Sequence, residues 1–416
     1  MHRVALASFV GSAIEYYDFY IYGIAAALVF PHVFFPDLSP TVATVSSFAT
    51  FAVAFIIRPV GSAFFGYYGD RLGRKKTLVA TLLIMGVSTI TIGLIPSADA
   101  IGVWAPLLLI LMRALQGFAV GGEWSGAALL TAEYAPSKKR GLYGMFPQIG
   151  VGAGLVLSSL VFFIVSSSIG ESSNAFLTWG WRLPFLFSIV LIAIALYMRL
   201  NIEETPVFRN QQSAVAKSPL SSLLRTQAKK TVLGAGVMVS VFSFTFMGGT
   251  YLTGYGRTEL GHSFSLVLIA NVAGGLAMVT TCAISAVLSD SLGRRRVILL
   301  GFALALPWSF AILPILDTGS AVLFVVGIAG TFGILGTSYG PMASFIPELF
   351  STEHRYTGAG LAYNLAGVLG GAIPPVIAGV LLAAFGSLAI AVLLIGAVLI
   401  SLVSTLLLPE TKSRSL

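Results

Sequence analysis

The chain alternates long apolar runs with short charged interruptions. Twelve apolar runs are each long enough to cross a hydrocarbon layer of roughly 30 Å, which takes about 20 helical residues. They are expected over 4–30, 42–66, 77–95, 105–134, 141–168, 181–200, 231–256, 264–287, 297–316, 319–348, 357–384 and 387–408. Residues 201–230 are polar and divide the series into six and six. The pattern predicts an all-α integral membrane protein with twelve transmembrane helices in two pseudo-symmetric six-helix bundles, 1–200 and 231–416, joined by a cytoplasmic linker over 201–230. Alternating ten-residue strands, the mark of a membrane barrel, are absent.

The charged interruptions repeat. Asp70-Arg71-Leu72-Gly73-Arg74-Lys75-Lys76 returns as Asp290-Ser291-Leu292-Gly293-Arg294-Arg295-Arg296. Glu133, seven residues before Arg140, is answered by Glu348, seven before Arg355. Two related halves therefore carry the same two loops on one side of the membrane, an arrangement typical of secondary transporters. Asp70, Arg71, Arg74, Glu133 and Arg140, with Asp290, Arg294, Glu348 and Arg355, are expected to form a latch that closes the cytoplasmic side. A carboxylate in such a cluster pairs with Arg or with a helix N-terminus, whose dipole favours negative charge.

Composition supports the membrane reading. Hydrophobic residues make up 56% of the 416 and charged residues only 10%, against about 25% in soluble domains. The 45 glycines suit close packing of membrane helices. The net charge of +8 does not point to nucleic acid, because 20 of the 24 Lys and Arg fall in one set of alternating loops and tails. Arg182 and Arg257 lie toward the opposite side, and Arg58 and Arg113 lie within apolar runs. This bias places both termini in the cytoplasm. Cys282 is the single cysteine, so no internal disulfide forms. His2, His32, His262 and His354 lack metal-ligand spacing, and no nucleophile motif or phosphate loop appears. No enzyme, metal or cofactor is expected. The first run is too long for a signal peptide and carries two acids, so it is expected to stay.

The chemistry lies inside the apolar runs. Glu15, Asp18, Phe19 and Tyr22 share one face of the first helix by their i, i+3, i+4, i+7 spacing. Carboxylates near the bilayer centre are too costly to face lipid, so this face looks into the bundle or a wet cavity. The second helix brings Arg58, and the fourth sets Arg113, Gln116 and Glu123 along one stripe. Counted this way, three carboxylates meet two guanidinium groups, leaving one carboxylate without a basic partner. A buried carboxylate without such a partner favours its protonated form, and a proton-coupled carrier needs such a group. Asp18 leads, then Glu15 and Glu123, with Asp18 expected within reach of Arg58. Arg113, whose planar fork fits a carboxylate, is expected to hold an anionic substrate. Gln116, Tyr22 and Gln148 assist from the first half. The second half has no deep charge and offers Tyr251, Tyr255, Asn271, Tyr363 and Asn364.

The charged loop resembles the signature between helices two and three of the major facilitator superfamily. Several stretches are similar to its metabolite:proton symporter family: Glu15-Tyr16-Tyr17-Asp18-Phe19, Ile57-Arg58-Pro59-Val60-Gly61, Arg113-Ala114-Leu115-Gln116-Gly117-Phe118, Gly121-Gly122-Glu123-Trp124 and Arg355-Tyr356-Thr357-Gly358-Ala359. The likeness runs from the first helix to the last. It implies the major facilitator fold, a bacterial inner membrane and import driven by the proton gradient. Members carry shikimate, α-ketoglutarate, citrate, or proline and betaine, and the first half is most similar to the shikimate carriers. Ser291 stands where Arg71 would predict an Arg. The fifth run lacks the Gly-Pro-x-x-Gly-Gly ending of many drug antiporters. The expectation is a monomeric symporter of a small organic acid, with protons as coupling ion. An osmolyte symporter, an exporter and a non-transporting sensor are the alternatives.

Overall fold

The computed structural model describes residues 2–72, 74–136, 139–171, 173–200 and 219–412. The main helices of the first half are α1 (His2–Leu28), α2 (Pro40–Leu72), α3 (Arg74–Leu94), α4 (Trp104–Val120), α5 (Glu123–Tyr134), α6 (Arg140–Ile169) and α7 (Leu183–Leu200). Those of the second half are α8 (Ala228–Phe246), α9 (Leu252–Thr258), α10 (Phe264–Leu292), α11 (Arg294–Leu316), α12 (Ala321–Tyr339), α13 (Met342–Glu348), α14 (Arg355–Ala366), α15 (Ile373–Phe385) and α16 (Ser387–Leu406). Ten helical stretches among the described residues are long and apolar enough to cross a membrane. Helix α1, with its two acids, and the α4–α5 pair complete the expected twelve.

Four of the expected spans are not simple helices. The fourth breaks at Gly121-Gly122, between α4 and α5. Glycine is a poor helix former, and Gly121 lies so close to α2 that a Cβ there would stand 2.2 Å from the Arg58 carbonyl oxygen. The break turns Glu123 into the first residue of a new helix, where a carboxylate is favoured by the dipole. The tenth breaks at Gly340-Pro341, since proline cannot continue the backbone ladder. The seventh and eleventh contain π-helical turns, Met247–Tyr251 and Gly367–Ala372, of the kind often found at functional sites.

Backbone contact fixes where the charges meet. Helix α2 crosses α4 with Gly61 against Phe118 and Gly117 against Ala54, and a Cβ on Gly117 would lie 2.2 Å from the Ala54 oxygen. This approach brings the bases of Arg58 and Arg113 together beside α1. Gly117→Ala should therefore force the helices apart, lowering stability by about 1–3 kcal/mol and the melting temperature in detergent. An unchanged melting temperature would exclude the contact. Between the halves, α6 lies along α10, and α1 packs on the π-turn Met247–Tyr251 and α9.

Candidate functional site

The segment Glu15 to Tyr22 of α1 is buried on every side. A single polar face was expected, but the helix has two occupied faces. Glu15, Asp18, Phe19 and Tyr22 meet groups of the first half. Tyr16 and Tyr20 meet the second half, at Tyr363 and Phe246.

The charges sort into pairs that differ from the count made on the sequence. Arg58 Nη2 lies 3.9 Å from Glu15 Oε1, a loose ion pair beyond hydrogen-bond range. Arg58 thus faces Glu15, and not Asp18 as expected. Glu123 Oε1 accepts from Arg199 Nη1 at 3.1 Å and from Thr81 Oγ1 at 2.7 Å. Arg199, assigned by sequence to the linker side, ends α7 by reaching back to α5, so carboxylates and guanidinium groups balance three to three. The odd carboxylate inferred from the sequence count disappears.

Two of the six nevertheless have no ion pair among the described residues: Asp18 and Arg113. Asp18 accepts from Ser188 Oγ at 2.8 Å and from Thr89 Oγ1 at 3.0 Å. Gln116 Nε2 donates to the same Thr89 oxygen at 2.6 Å, and Arg113 Nη1 donates to Gln116 Oε1 at 2.8 Å. A run of hydrogen bonds therefore joins Arg113 to Asp18 through Gln116 and Thr89. Arg113 Nε and Nη2 have no hydrogen-bond partner among the described residues. The guanidinium is solvated by rings instead, 4.0 Å from the Tyr22 centroid, 4.6 Å from Phe19 and 4.9 Å from Phe51. Arg58 lies over Phe19 and Phe55, so Phe19 serves both cations.

The other expected contacts take varied places. Tyr22 Oη bonds Thr50 Oγ1 at 2.6 Å. Gln148 accepts from Trp124 and donates to the Tyr339 carbonyl, bridging the halves rather than meeting Arg113. Asn271 bonds Thr253 within the second half, and Tyr255 bonds Asp317. Asn364 donates to the Gly121 and Gly360 carbonyls. Tyr363 stacks on Trp124, centroids 4.1 Å apart at 8°, and bonds Tyr16. Tyr251 packs on Phe48, and its buried hydroxyl has no hydrogen-bond partner among the described residues. The hydroxyls of Thr81, Thr89 and Ser188, and Arg199, escaped the sequence reading. A hydroxyl in an apolar helix usually bonds its own backbone, as Ser88 does with Ile84, so nothing distinguished them beforehand.

Contacts among the described residues flank the centre toward both ends. On the side expected to be cytoplasmic stand the Trp124–Tyr363–Tyr16 layer and the bonds from Asn364 and Tyr356 to α4–α5. Below them, Asp290 accepts from the Gly141 and Leu142 amides at 2.9 and 3.0 Å, capping α6 across the halves. Arg294 Nη1 bonds Asp290 at 2.8 Å, and its Nε lies 3.7 Å from Glu348. Ser344 Oγ donates to the Arg140 carbonyl, and Arg355 is buried nearby at the start of α14. The side chains of Asp70, Arg71, Arg74 and Glu133 lie outside the described residues. At the opposite end, Gly23 touches Thr250, Phe48 meets Tyr251, and Arg257 pairs with Glu171 at 3.6 Å.

Residues 8–375 match the Major Facilitator Superfamily. The inner membrane metabolite transport protein YhjE of Escherichia coli K12 is 42% identical, over 100% of this chain and 96% of its own length. The shikimate transporter of the same organism is 39% identical over 99% and 95%, and its proline/betaine transporter 34% over 100% and 85%. Among solved structures, the D-xylose-proton symporter superposes with a TM-score of 0.76 at 20% identity, over 100% of this chain and 99% of that one. A helical architecture with charges buried across the bilayer, a match over most of the chain and transporter relatives along its full length agree: the chain belongs to the major facilitator superfamily and is a multi-pass membrane transporter.

Proposed function

We propose that this transporter is a proton-coupled importer of a small organic acid, shikimate or a related hydroxy or keto carboxylate, working by alternating access in a bacterial inner membrane. One observation carries the reading: Arg113 is fully buried and, among the described residues, has no carboxylate partner and keeps Nε and Nη2 unbonded. A buried guanidinium without a counter-charge is costly, and a substrate carboxylate supplies one in bidentate form. Neither Glu15 nor Glu123 competes for it, since each has its own arginine. The likeness to the shikimate transporter agrees.

Asp18 is the leading proton carrier, ahead of Glu15 and Glu123. The hydrogen bonds through Gln116 and Thr89 give Arg113 a direct line to it, so an anion arriving at one end alters the proton's stability at the other. The osmolyte alternative draws on the proline/betaine relative. It needs aromatic faces for a quaternary ammonium, yet Phe19, Phe51, Phe55 and Tyr22 already face the two arginines. Uptake of labelled acids and betaines into reconstituted vesicles, with a pH gradient of either sign, tests the proposal. Accumulation of betaine alone, or movement only outward, would overturn it.

The latch reading makes its own prediction. Asp290→Ala removes both acceptors from the α6 N-terminus and leaves Arg294 with Glu348 and the Ser289 carbonyl alone. Hydrogen bonds to a charged group are worth about 1.5–3 kcal/mol each, so the ratio of open to closed cytoplasmic forms should rise at least about tenfold. A cysteine placed at Ala343, in the closed contact between α6 and α13, in a Cys282→Ser background, should then be labelled faster from that side. An unchanged labelling rate would remove Asp290 from the latch.

A further inference from the structure

At the positively charged end of the second half, the α10–α11 turn and the tail after α16 border an open cavity of about 390 Å³. Arg295, Arg296, Lys412, Glu410, Leu292 and Leu299 line it. The one acid is already committed. Glu410 accepts from the backbone amides of Arg294 and Arg295 at 3.0 and 3.1 Å, so its charge is absorbed by the N-terminus of α11.

The cations are anchored but not exhausted. Arg295 donates through Nε and Nη2 to the Thr405 and Leu406 carbonyls at the end of α16, leaving Nη1. Lys412 spends one of its three donors on the Ser291 carbonyl. Arg296 is exposed and makes no hydrogen bond or ion pair among the described residues. The cavity therefore presents three positive groups against one capped carboxylate.

Its rim continues into apolar surface. Leu292 is 52% exposed beside the cations, and Leu300 and Leu304 on α11 and Leu406, Val403 and Ile400 on α16 are exposed in series away from it. A free anion needs only the cations. A phosphate headgroup with acyl chains also needs the adjoining greasy strip, and here the two are continuous. The positive-inside bias puts this corner at the cytoplasmic leaflet, whose anionic lipids attract basic clusters. We infer that the cavity is a headgroup site for an anionic phospholipid of that leaflet, with Arg296 and Lys412 as its contributing cations and the outer faces of α11 and α16 as the acyl track.

The test uses the full chain in mixed-lipid nanodiscs, with retained lipid counted by native mass spectrometry. The wild type should retain phosphatidylglycerol over chain-matched phosphatidylcholine by about tenfold or more, each basic residue near the surface contributing about one factor of five. Arg296→Ala with Lys412→Ala should abolish the preference, Arg296→Lys should keep it, and Arg225→Ala, on a separate exposed helix, should leave it unchanged. A double variant that still prefers phosphatidylglycerol as the wild type does would overturn the site. So would displacement of the lipid by inorganic phosphate at equal headgroup concentration, which would mark a soluble-anion pocket.

Discussion

Asp18→Asn should abolish accumulation of substrate driven by a pH gradient while sparing exchange of substrate across the membrane. A gradient of about two pH units supplies about 2.7 kcal/mol per proton, enough for roughly 100-fold accumulation by a one-proton symporter. The amide carries no titrating proton, so the ratio should fall to about one. The substitution is mild for the fold, because Asp18 is held by the Ser188 and Thr89 hydroxyls and not by a cation. An asparagine there keeps one of these bonds as an acceptor through Oδ1, can donate to the other hydroxyl through Nδ2, and leaves no arginine stranded. Glu15→Gln and Glu123→Gln differ in this respect, since they strip the buried Arg58 and the half-buried Arg199 of the only carboxylate each pairs with among the described residues. They should lose folded protein in detergent as well as activity. If Asp18→Asn still concentrates substrate with the gradient, the proton travels elsewhere, and the two glutamates become the candidates.

Arg113→Lys should weaken substrate binding by about tenfold to a hundredfold, the range for losing one charge-assisted hydrogen bond of about 1.5–3 kcal/mol. Lysine keeps the positive charge and can still sit over the Tyr22 and Phe19 rings. It cannot meet a planar carboxylate with two parallel donors, nor bond Gln116 while doing so. The loss should appear in KM or in competition binding, for carboxylates of every size, with expression and melting temperature near wild type. Gln116→Ala should reproduce part of the effect and also disturb Asp18, because Gln116 joins Arg113 to Thr89. Unchanged affinity for all carboxylates in Arg113→Lys would remove the guanidinium from the binding site.

Much of this protein is legible without its structure. Apolar runs of bilayer length, bias of Lys and Arg to one side, and the repeat of Asp70-Arg71-Leu72-Gly73 as Asp290-Ser291-Leu292-Gly293 determine a helical membrane protein with related halves. They do so because the cost of exposing charge and backbone to hydrocarbon acts on each segment separately. The same cost singles out Glu15, Asp18, Arg58, Arg113 and Glu123 as residues that must face inward. What it does not say is which of them meet. Pairing depends on the rotation of α1, on the glycine contacts that bring α2 against α4, and on the break at Gly121-Gly122 that turns Glu123 toward α7. Only tertiary structure gave Arg58 to Glu15 and Arg199 to Glu123, leaving Asp18 to two hydroxyls that looked like ordinary backbone-bonding Ser and Thr. Hydropathy fixes which residues leave the lipid, while the partners they find are chosen by side-chain reach of a few ångströms, to which a one-dimensional pattern is blind.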